Sequence, residues 1–129
     1  MKKQKLIIIG GGGHAKVIID AVLAGDEYDV HGIIDQKLEV GTKVLSVPVL
    51  GTDSMLSELF DEGIKNAFIG VGSIGNCDAR RTIYGKLKSI GFDLPVIIHP
   101  RAVVSPDVEF EEGTFVAASA TINPGTKIG

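Results

Sequence analysis

The stretch LIIIGGGGHAKVIID, from Leu6 to Asp20, decides the fold of this chain. Its first four residues are apolar and mostly β-branched, as in a strand that is buried on both faces of a parallel sheet. The glycines Gly10 to Gly13 follow at once, and apolar residues then recur at helical spacing from Ala15. A strand, a glycine turn and a helix start bring unpaired N–H groups and the positive end of the helix dipole to one point. The stretch therefore predicts a phosphate-binding turn, with a tight turn that binds no ligand as the alternative.

An acidic residue further along the chain supports nucleotide binding at this turn. Gly10 to Ala15 fits the pattern G-x-G-x-x-A of dinucleotide-binding folds, although a run of four glycines fits many patterns. A second apolar stretch, from Val30 to Ile34, ends at Asp35, which stands 20 residues after Ala15. An acidic residue at this distance lies at the end of the second strand and can bond ribose hydroxyls. The plainer interpretation is a solvated carboxylate at a strand end.

Strands and helices alternate through the first three-quarters of the chain. Beyond the second strand we expect helices that begin near Asp53 and Asp78, a loop at 36–46, and strands at 47–51, 67–72 and 94–98. This alternation predicts an α/β domain over residues 1–97 with a mostly parallel sheet. The carboxyl ends of its strands share one edge, so Gly12, Gly13, Asp35 and Gly72 are expected to be neighbours. The domain is about one half of a dinucleotide fold, which favours a mononucleotide ligand over NAD.

From Ile98 onward the pattern changes to a repeat of six residues. Large apolar residues recur at this period without exception, at Ile98, Val104, Phe110, Val116, Ile122 and Ile128. Small or β-branched residues stand four positions after each of the first five, and Pro or Gly residues fall between them. Hexapeptide repeats of this kind form a parallel β-helix, in which each unit lays a short strand on one face of a triangular coil. Residues 98–129 are therefore expected to begin a β-helix, with the periodic apolar residues pointing inward.

Composition excludes several classes of protein. The formal net charge is −3, and no basic stripe is present that would bind nucleic acid. The single cysteine, Cys77, rules out an internal disulfide and fits a reducing compartment. No stretch approaches the length and hydrophobicity of a membrane span. We expect a cytoplasmic protein that binds neither nucleic acid nor membrane and holds no metal.

A half-sized nucleotide fold followed by hexapeptide repeats resembles the sugar O- and N-acyltransferases of surface-polysaccharide and glycoprotein biosynthesis. These include the sialic acid O-acetyltransferases and the acetyltransferases that act on UDP-4-amino sugars. The segments that carry the resemblance are IIIGGGGHAKVIIDA at 7–21, IID at 33–35, GTD at 51–53, VGSIGNCDARRTIYGKLKSIGF at 71–92 and IIHPRAVVSPDV at 97–108. The resemblance implies a Rossmann-like domain that binds a UDP-sugar or a related nucleotide-sugar. It also implies a left-handed β-helix that binds acetyl-CoA between the subunits of a homotrimer.

The resemblance further implies which residues bind the nucleotide-sugar. We expect the diphosphate to be approached by Gly12, Gly13 and His14. Contact with the base or ribose is expected from Asp35 and Gln36. The crevice is expected to be lined by Gly72 and Ser73. Gln36 departs from the family pattern, because some members have a second acidic residue at this place. The contacts with the base are therefore left open.

The resemblance assigns no catalytic residue to this chain. The general base of the family is a histidine within the β-helix, and by alignment it falls beyond Gly129. His99 stands at the junction of the two parts and is better explained as a corner residue. Five complete hexads at three per turn make fewer than two turns, whereas a β-helix needs several stacked turns for stability. We expect a truncated acyltransferase that does not catalyse acyl transfer by itself.

Two other functions stay open at this point. One is an NAD-binding oxidoreductase-like domain, which the G-x-G-x-x-A pattern and Asp35 favour and which the short fold and the hexads disfavour. The other is a non-catalytic module that binds a nucleotide-sugar and positions a partner. Titration with UDP, a UDP-sugar and NADH separates the NAD-binding hypothesis from the others.

Overall fold

The computed structural model describes residues 3–70, 77–117, 121–122 and 127–128. Its first part consists of β1 (Gln4–Ile9), α1 (Gly13–Ala24), β2 (Tyr28–Ile34), β3 (Lys43–Val44), β4 (Val47–Gly51), a 3₁₀ turn (Asp53–Met55), α2 (Leu56–Asp61), β5 (Asn66–Ile69) and α3 (Cys77–Ile90). Six two-residue strands follow: β6 (Ile97–Ile98), β7 (Val103–Val104), β8 (Glu109–Phe110), β9 (Phe115–Val116), β10 (Thr121–Ile122) and β11 (Lys127–Ile128). The predicted succession of an α/β part and a hexapeptide part is confirmed.

The first part is a five-stranded sheet in the order β3-β4-β2-β1-β5. Strand β1 is central and pairs in parallel with both β2 and β5. Strand β4 pairs in parallel with β2, whereas β3 is antiparallel to β4 and lies at the edge. The carboxyl ends of β1, β2 and β5 therefore share one edge of the sheet, as the βαβ pattern predicts.

Both faces of the central strand are covered, which explains the uninterrupted apolar run of β1. Leu6 and Ile8 pack on one face with residues of α1 that include Ile18 and Ile19. Ile7 and Ile9 pack on the other face with residues of α2 and α3 that include Leu56, Leu59 and Leu87. Side chains that alternate along a strand point to opposite faces of its sheet. A strand between two helical layers consequently needs an apolar residue at every position.

The predicted loop at 36–46 contains one element that the sequence pattern missed. Lys43 and Val44 form β3, which pairs with Pro48 and Val47 of β4 through a two-residue turn. The turn residues, Leu45 and Ser46, have φ angles of 48° and 72°. Two consecutive positive φ angles are typical of a type I′ hairpin turn, which usually contains Asn or Gly. The pattern failed here because neither residue is a usual one for this turn.

The six short strands pair in parallel, each with the strand three hexads away. Strand β6 pairs with β9, β7 with β10, and β8 with β11. Three strands therefore make one turn of the coil, and every rung repeats the register of the one below, as in a parallel β-helix. The predicted strand at 94–98 is shorter than expected, because only Ile97 and Ile98 form it. It pairs with β9 in the coil and not with the parallel sheet.

The periodic apolar residues whose side chains the structure describes, a set that excludes Ile122 and Ile128, are not equally buried. Val116 is 4% exposed and Val104 and Phe110 are half-buried, but Ile98 is 39% exposed. Its neighbour Ile97 is buried and packs in the cluster that contains α1. Strand β6 thus uses one face to attach the coil to the first part of the molecule. Among the described strands, β6 pairs with β9 alone.

Within the described residues, no helix is long and apolar enough to span a membrane.

Candidate functional site

The glycine loop lies at the carboxyl edge of the sheet, between β1 and α1. Gly10 has a φ angle of 101°, which favours glycine, and its N–H donates to the Ile34 carbonyl at 2.7 Å. Gly70, directly after β5, donates to the Ile9 carbonyl at 2.7 Å. Hydrogen bonds beyond the last strand residues therefore join the ends of β1, β2 and β5. The three strand ends converge on the loop, as the topology requires.

Gly11 and Gly12 differ in what surrounds them. A Cβ atom at Gly11 would lie 2.6 Å from Leu38 Cδ1 and 3.4 Å from Asp35 Oδ2, so this glycine permits a close approach. A Cβ atom at Gly12 would meet nothing within 4 Å. Gly12 is exposed, has extended backbone and caps the N-terminus of α1 without a side-chain hydrogen bond. The helix start is therefore open to a ligand at Gly12, where unpaired N–H groups favour an anion.

Asp35 closes the glycine loop from the end of β2. Its Oδ2 accepts the Gly11 N–H at 2.7 Å, and its Oδ1 accepts the N–H groups of Lys37 at 2.8 Å and Leu38 at 2.9 Å. Burial raises the pKa of this carboxyl group, but the backbone hydrogen bonds outweigh that effect and hold the pKa below its ordinary value. Asp35 is thus an ionised acceptor, and Oδ2 retains capacity for one further donor.

Gln36 is also tied to the protein. Its Oε1 accepts the N–H of Asp53 at 2.9 Å. The Asp53 carboxylate in turn pairs with Lys86 of α3, with Nζ and Oδ2 2.9 Å apart. Through this chain of contacts the loop after β2 is joined to the 3₁₀ turn and to α3. A base contact by Gln36 can use its amide nitrogen as a donor or the remaining lone pair of Oε1 as an acceptor.

Four predicted site residues lie partly or wholly outside the described residues. Gly13 and His14 belong to the first turn of α1, but the burial of both residues and the His14 side chain lie outside the described part of the structure. Gly72 and Ser73 lie outside the described residues altogether. What the structure does place together is the set Gly11, Gly12 and Asp35, whereas the Gln36 side chain contacts Asp53. Sequence reasoning missed Gly11 as a site residue, because Gly11 falls on an unspecified position of the G-x-G-x-x-A pattern.

His99 occupies the first corner of the coil. It is 8% exposed, and its Nδ1 accepts the backbone N–H of Arg101 at 3.1 Å. The backbone N–H of His99 donates to the Val116 carbonyl oxygen at 2.9 Å, and the ring Nε2 lies 3.9 Å from the Asp20 carboxylate of α1. These contacts match a corner residue that joins the coil to α1. Among the described residues, no cluster of His, Cys, Asp or Glu could hold a metal ion.

A family model and two acetyltransferase structures match this chain. The family model described as the PglD N-terminal domain matches residues 5–87. Perosamine N-acetyltransferase from Caulobacter crescentus, solved with CoA and GDP-perosamine, is 40% identical with a TM-score of 0.85 over 97% of this chain and 57% of that one. The acetyltransferase domain of PglB from Neisseria gonorrhoeae, solved with acetyl coenzyme A, is 34% identical with a TM-score of 0.81 over 98% of this chain and 59% of that one.

Two further findings limit what the comparisons show about this chain. UDP-D-quinovosamine 4-dehydrogenase from Vibrio fischeri is 18% identical with a TM-score of 0.63 over 71% of this chain, which shows a shared fold and nothing more. No curated protein matches the chain. The chain spans a little over half the length of the two acetyltransferase structures.

Proposed function

Because this chain belongs to the PglD N-terminal domain family, we propose that it binds a nucleotide-sugar for acetyl transfer from acetyl-CoA. The acceptor would be an amine or a hydroxyl of the sugar. Two of its structural relatives are acetyltransferases, one solved with CoA and GDP-perosamine and the other with acetyl coenzyme A. Both relatives match almost the whole of this chain, including its hexapeptide strands. The proposal therefore rests on both parts of the molecule.

The observation that carries the proposal is the open helix start beside an ionised carboxylate. Gly12 leaves space at the N-terminus of α1, where a diphosphate is stabilised by free N–H groups and the helix dipole. Asp35 bonds the adjacent Gly11 and keeps one acceptor position for a hydroxyl or N–H donor. Ribose hydroxyls and base N–H groups are donors of this kind. One edge of the sheet thus offers complementary partners for the two ends of a nucleotide.

Finer features belong to the same proposal. The nucleotide is a UDP-sugar or a related nucleotide-sugar, and GDP-perosamine in a relative makes guanosine the second base to test. The further site residues are Gly13, His14, Gly72 and Ser73, which follow from the resemblance. We assign a homotrimer to the β-helix part and the cytoplasm as compartment, the latter supported by a single cysteine. Sialic acid biosynthesis is one of the pathways that such a chain would fit.

His99 does not serve as the base in this proposal. A general base must reach the acceptor by a hydrogen bond, and the His99 side chain is buried with Nδ1 engaged by the Arg101 N–H. NAD chemistry is also disfavoured, because the likeness to a dehydrogenase is limited to the fold. A module that only binds the nucleotide-sugar would have the same site and would be distinguished by an acetyl-transfer assay.

The test is calorimetric titration of UDP, GDP, a sugar nucleotide of each and NADH against two glycine variants. Gly12→Ala adds a methyl group in open space with extended backbone, so the fold should tolerate it while the close approach of a diphosphate is lost. We expect nucleotide-sugar affinity to fall at least about tenfold. Alanine is a weaker N-cap than glycine, so the melting temperature should fall by up to about 5 °C while the chain stays folded. Gly85→Ala makes the same change on α3, also in open space, and should leave affinity unchanged.

Equal affinity of the wild type and Gly12→Ala for every nucleotide-sugar would show that the binding site is not at the glycine loop. Tight binding of NADH with no binding of nucleotide-sugars would instead support the oxidoreductase-like alternative. The base that binds more tightly identifies the nucleotide.

A further inference from the structure

A cavity of about 330 Å³ lies on the far side of β5 from the glycine loop. Helix α3 supplies one wall with Arg80, Arg81 and Tyr84, and the turn between β8 and β9 supplies the other with 111–113. Ile69, the last residue of β5, lines it near the carboxyl edge of the sheet. Its volume is in the range of about 300 to 1,000 Å³ that small-molecule sites occupy. The cavity also lies where the two parts of the molecule meet, a frequent place for such sites.

The cations of α3 divide into paired and unpaired side chains. Lys86 Nζ lies 2.9 Å from an Asp53 carboxylate oxygen, and Lys88 Nζ lies 3.0 Å from Glu112 Oε2. Within the described part of the chain, neither Arg80 nor Arg81 has a carboxylate partner. Arg80 and Arg81 line the cavity, and their guanidinium donors are therefore available to a ligand there.

The carboxylates of the opposite wall do not neutralise these arginines. Glu112 accepts hydrogen bonds from the Tyr84 hydroxyl and the Lys88 ammonium, which lower its pKa and keep it ionised and paired. Glu111 is exposed and lines the cavity, so it opposes an anion there. Two arginines and two glutamates line the cavity, and Lys88, which lies outside the lining, pairs with Glu112. The two guanidinium groups therefore face one carboxylate, Glu111, that no such ion pair neutralises.

Helix stability does not explain the position of Arg80. Helix α3 begins at Cys77, so Arg80 lies in its first turn, where a cation meets the positive end of the helix dipole. A phosphate between two guanidinium groups would reverse that unfavourable interaction. The planar guanidinium fork also matches phosphate oxygens in a bidentate geometry, which a lysine ammonium does not.

We propose that this cavity is a phosphate subsite in which Arg80 and Arg81 bind a phosphate ester or diphosphate. The subsite itself follows from the cavity and its free guanidinium groups. Only the source of the phosphate, a nucleotide-sugar or coenzyme A, rests on the proposed function. The Glu111 carboxylate repels the bound phosphate and so limits the negative charge of the anion that the subsite binds.

The experiment is titration of inorganic pyrophosphate into the chain at low ionic strength, followed by calorimetry. Arg80→Gln and Arg81→Gln should each raise the dissociation constant at least about tenfold, because each removes charge-assisted hydrogen bonds. Glu111→Gln should lower it. Lys86→Gln is the matched control, since it removes one charge from the same helix outside the cavity. It should change the constant less than about twofold. Melting temperatures verify that each variant is folded.

Three results would overturn the subsite. One is the absence of pyrophosphate binding, and another is equal weakening by Lys86→Gln, which indicates diffuse electrostatics. The third is loss of pyrophosphate binding in Gly12→Ala but not in the arginine variants, which would place the phosphate at the glycine loop and leave the proposed function intact.

Competition then identifies the source of the phosphate. Displacement of pyrophosphate by coenzyme A, but not by a nucleotide-sugar, assigns the subsite to the cofactor, and the reverse result assigns it to the sugar nucleotide. Either displacement supports the subsite, whereas displacement by neither ligand contradicts the assignment of its phosphate to a nucleotide-sugar or coenzyme A. Failure of the proposed function would appear separately, as nucleotide-sugar titrations that do not respond to Gly12→Ala.

Discussion

Asp35 is a structural residue as well as a candidate ligand contact. Its carboxylate accepts three backbone N–H groups, from Gly11, Lys37 and Leu38, and so fixes the loops after β1 and β2 together. Replacement by Asn retains the shape but removes the charge that strengthens these bonds. We expect Asp35→Asn to lower the free energy of unfolding by about 1 to 3 kcal/mol at pH 7. Urea unfolding measures this loss.

The pH dependence of this loss has a definite sign. The folded-state pKa of Asp35 is depressed, so its contribution is fully present above the unfolded value of about 4 and disappears as the pH falls through the folded pKa. The difference between wild type and Asp35→Asn should therefore be constant from about pH 6 to 8 and shrink below about pH 4. Asp29→Asn, an exposed carboxylate on the same strand, should change stability by less than about 0.5 kcal/mol. A difference that grows on acidification would contradict the assignment.

The contacts of the site residues were less predictable than their positions. The distance of Asp35 from the glycine loop follows from the βαβ register, because adjacent parallel strands end at one edge. Spacing does not reveal that three backbone donors occupy the carboxylate, since those donors come from loop geometry. The same holds for Gln36, whose partner Asp53 belongs to a different loop.

Among the secondary structure elements, the β3–β4 hairpin carries local strain. Leu45 adopts a φ of 48°, a left-handed conformation that costs a residue with a Cβ atom about 1 kcal/mol or more. Asn adopts this conformation more easily. Leu45→Asn should therefore stabilise the chain by about 0.5 to 1 kcal/mol in urea unfolding. Val40→Asn, which replaces an exposed apolar residue of the preceding loop, should have an effect within about 0.5 kcal/mol.

Equal effects of the two substitutions would show that removal of exposed apolar surface, and not the backbone conformation, determines the result.

The hairpin also shows where prediction of elements from sequence ends. Strand β1 and the hexads were predictable, because burial on two faces and a strict period of six each leave a pattern over many residues. Strand β3 has two residues and an atypical turn, which is too little for any period. The inward position of Ile98 was predicted from the period, whereas the contact of the coil with α1 buries Ile97 instead.

Phe115 of β9 connects the coil to the five-stranded sheet. Its ring meets the Phe68 ring of β5 edge to face, with centroids 6.3 Å apart. Phe115 is half-buried, so Phe115→Ala should lower the free energy of unfolding by about 2 to 3 kcal/mol. Val103→Ala in the same coil is the control, because Val103 is 63% exposed and should matter by less than about 0.5 kcal/mol.

Two separate unfolding transitions in Phe115→Ala would indicate that this contact couples the two parts. An unchanged midpoint would show that other contacts, such as Lys88 with Glu112, are sufficient.

The central position of β1 has a consequence for synthesis on the ribosome. Leu6 pairs with Val30 of β2 and with Asn66 of β5, and the second partner emerges much later than the first. Strand β1 can therefore join β2 early, while its other edge keeps unpaired N–H and C=O groups beside an apolar surface. Parallel pairing over a long loop is slow, because the loop entropy is lost before the contacts form. In the nascent chain this edge is the natural binding site for a chaperone and the natural starting point of aggregation.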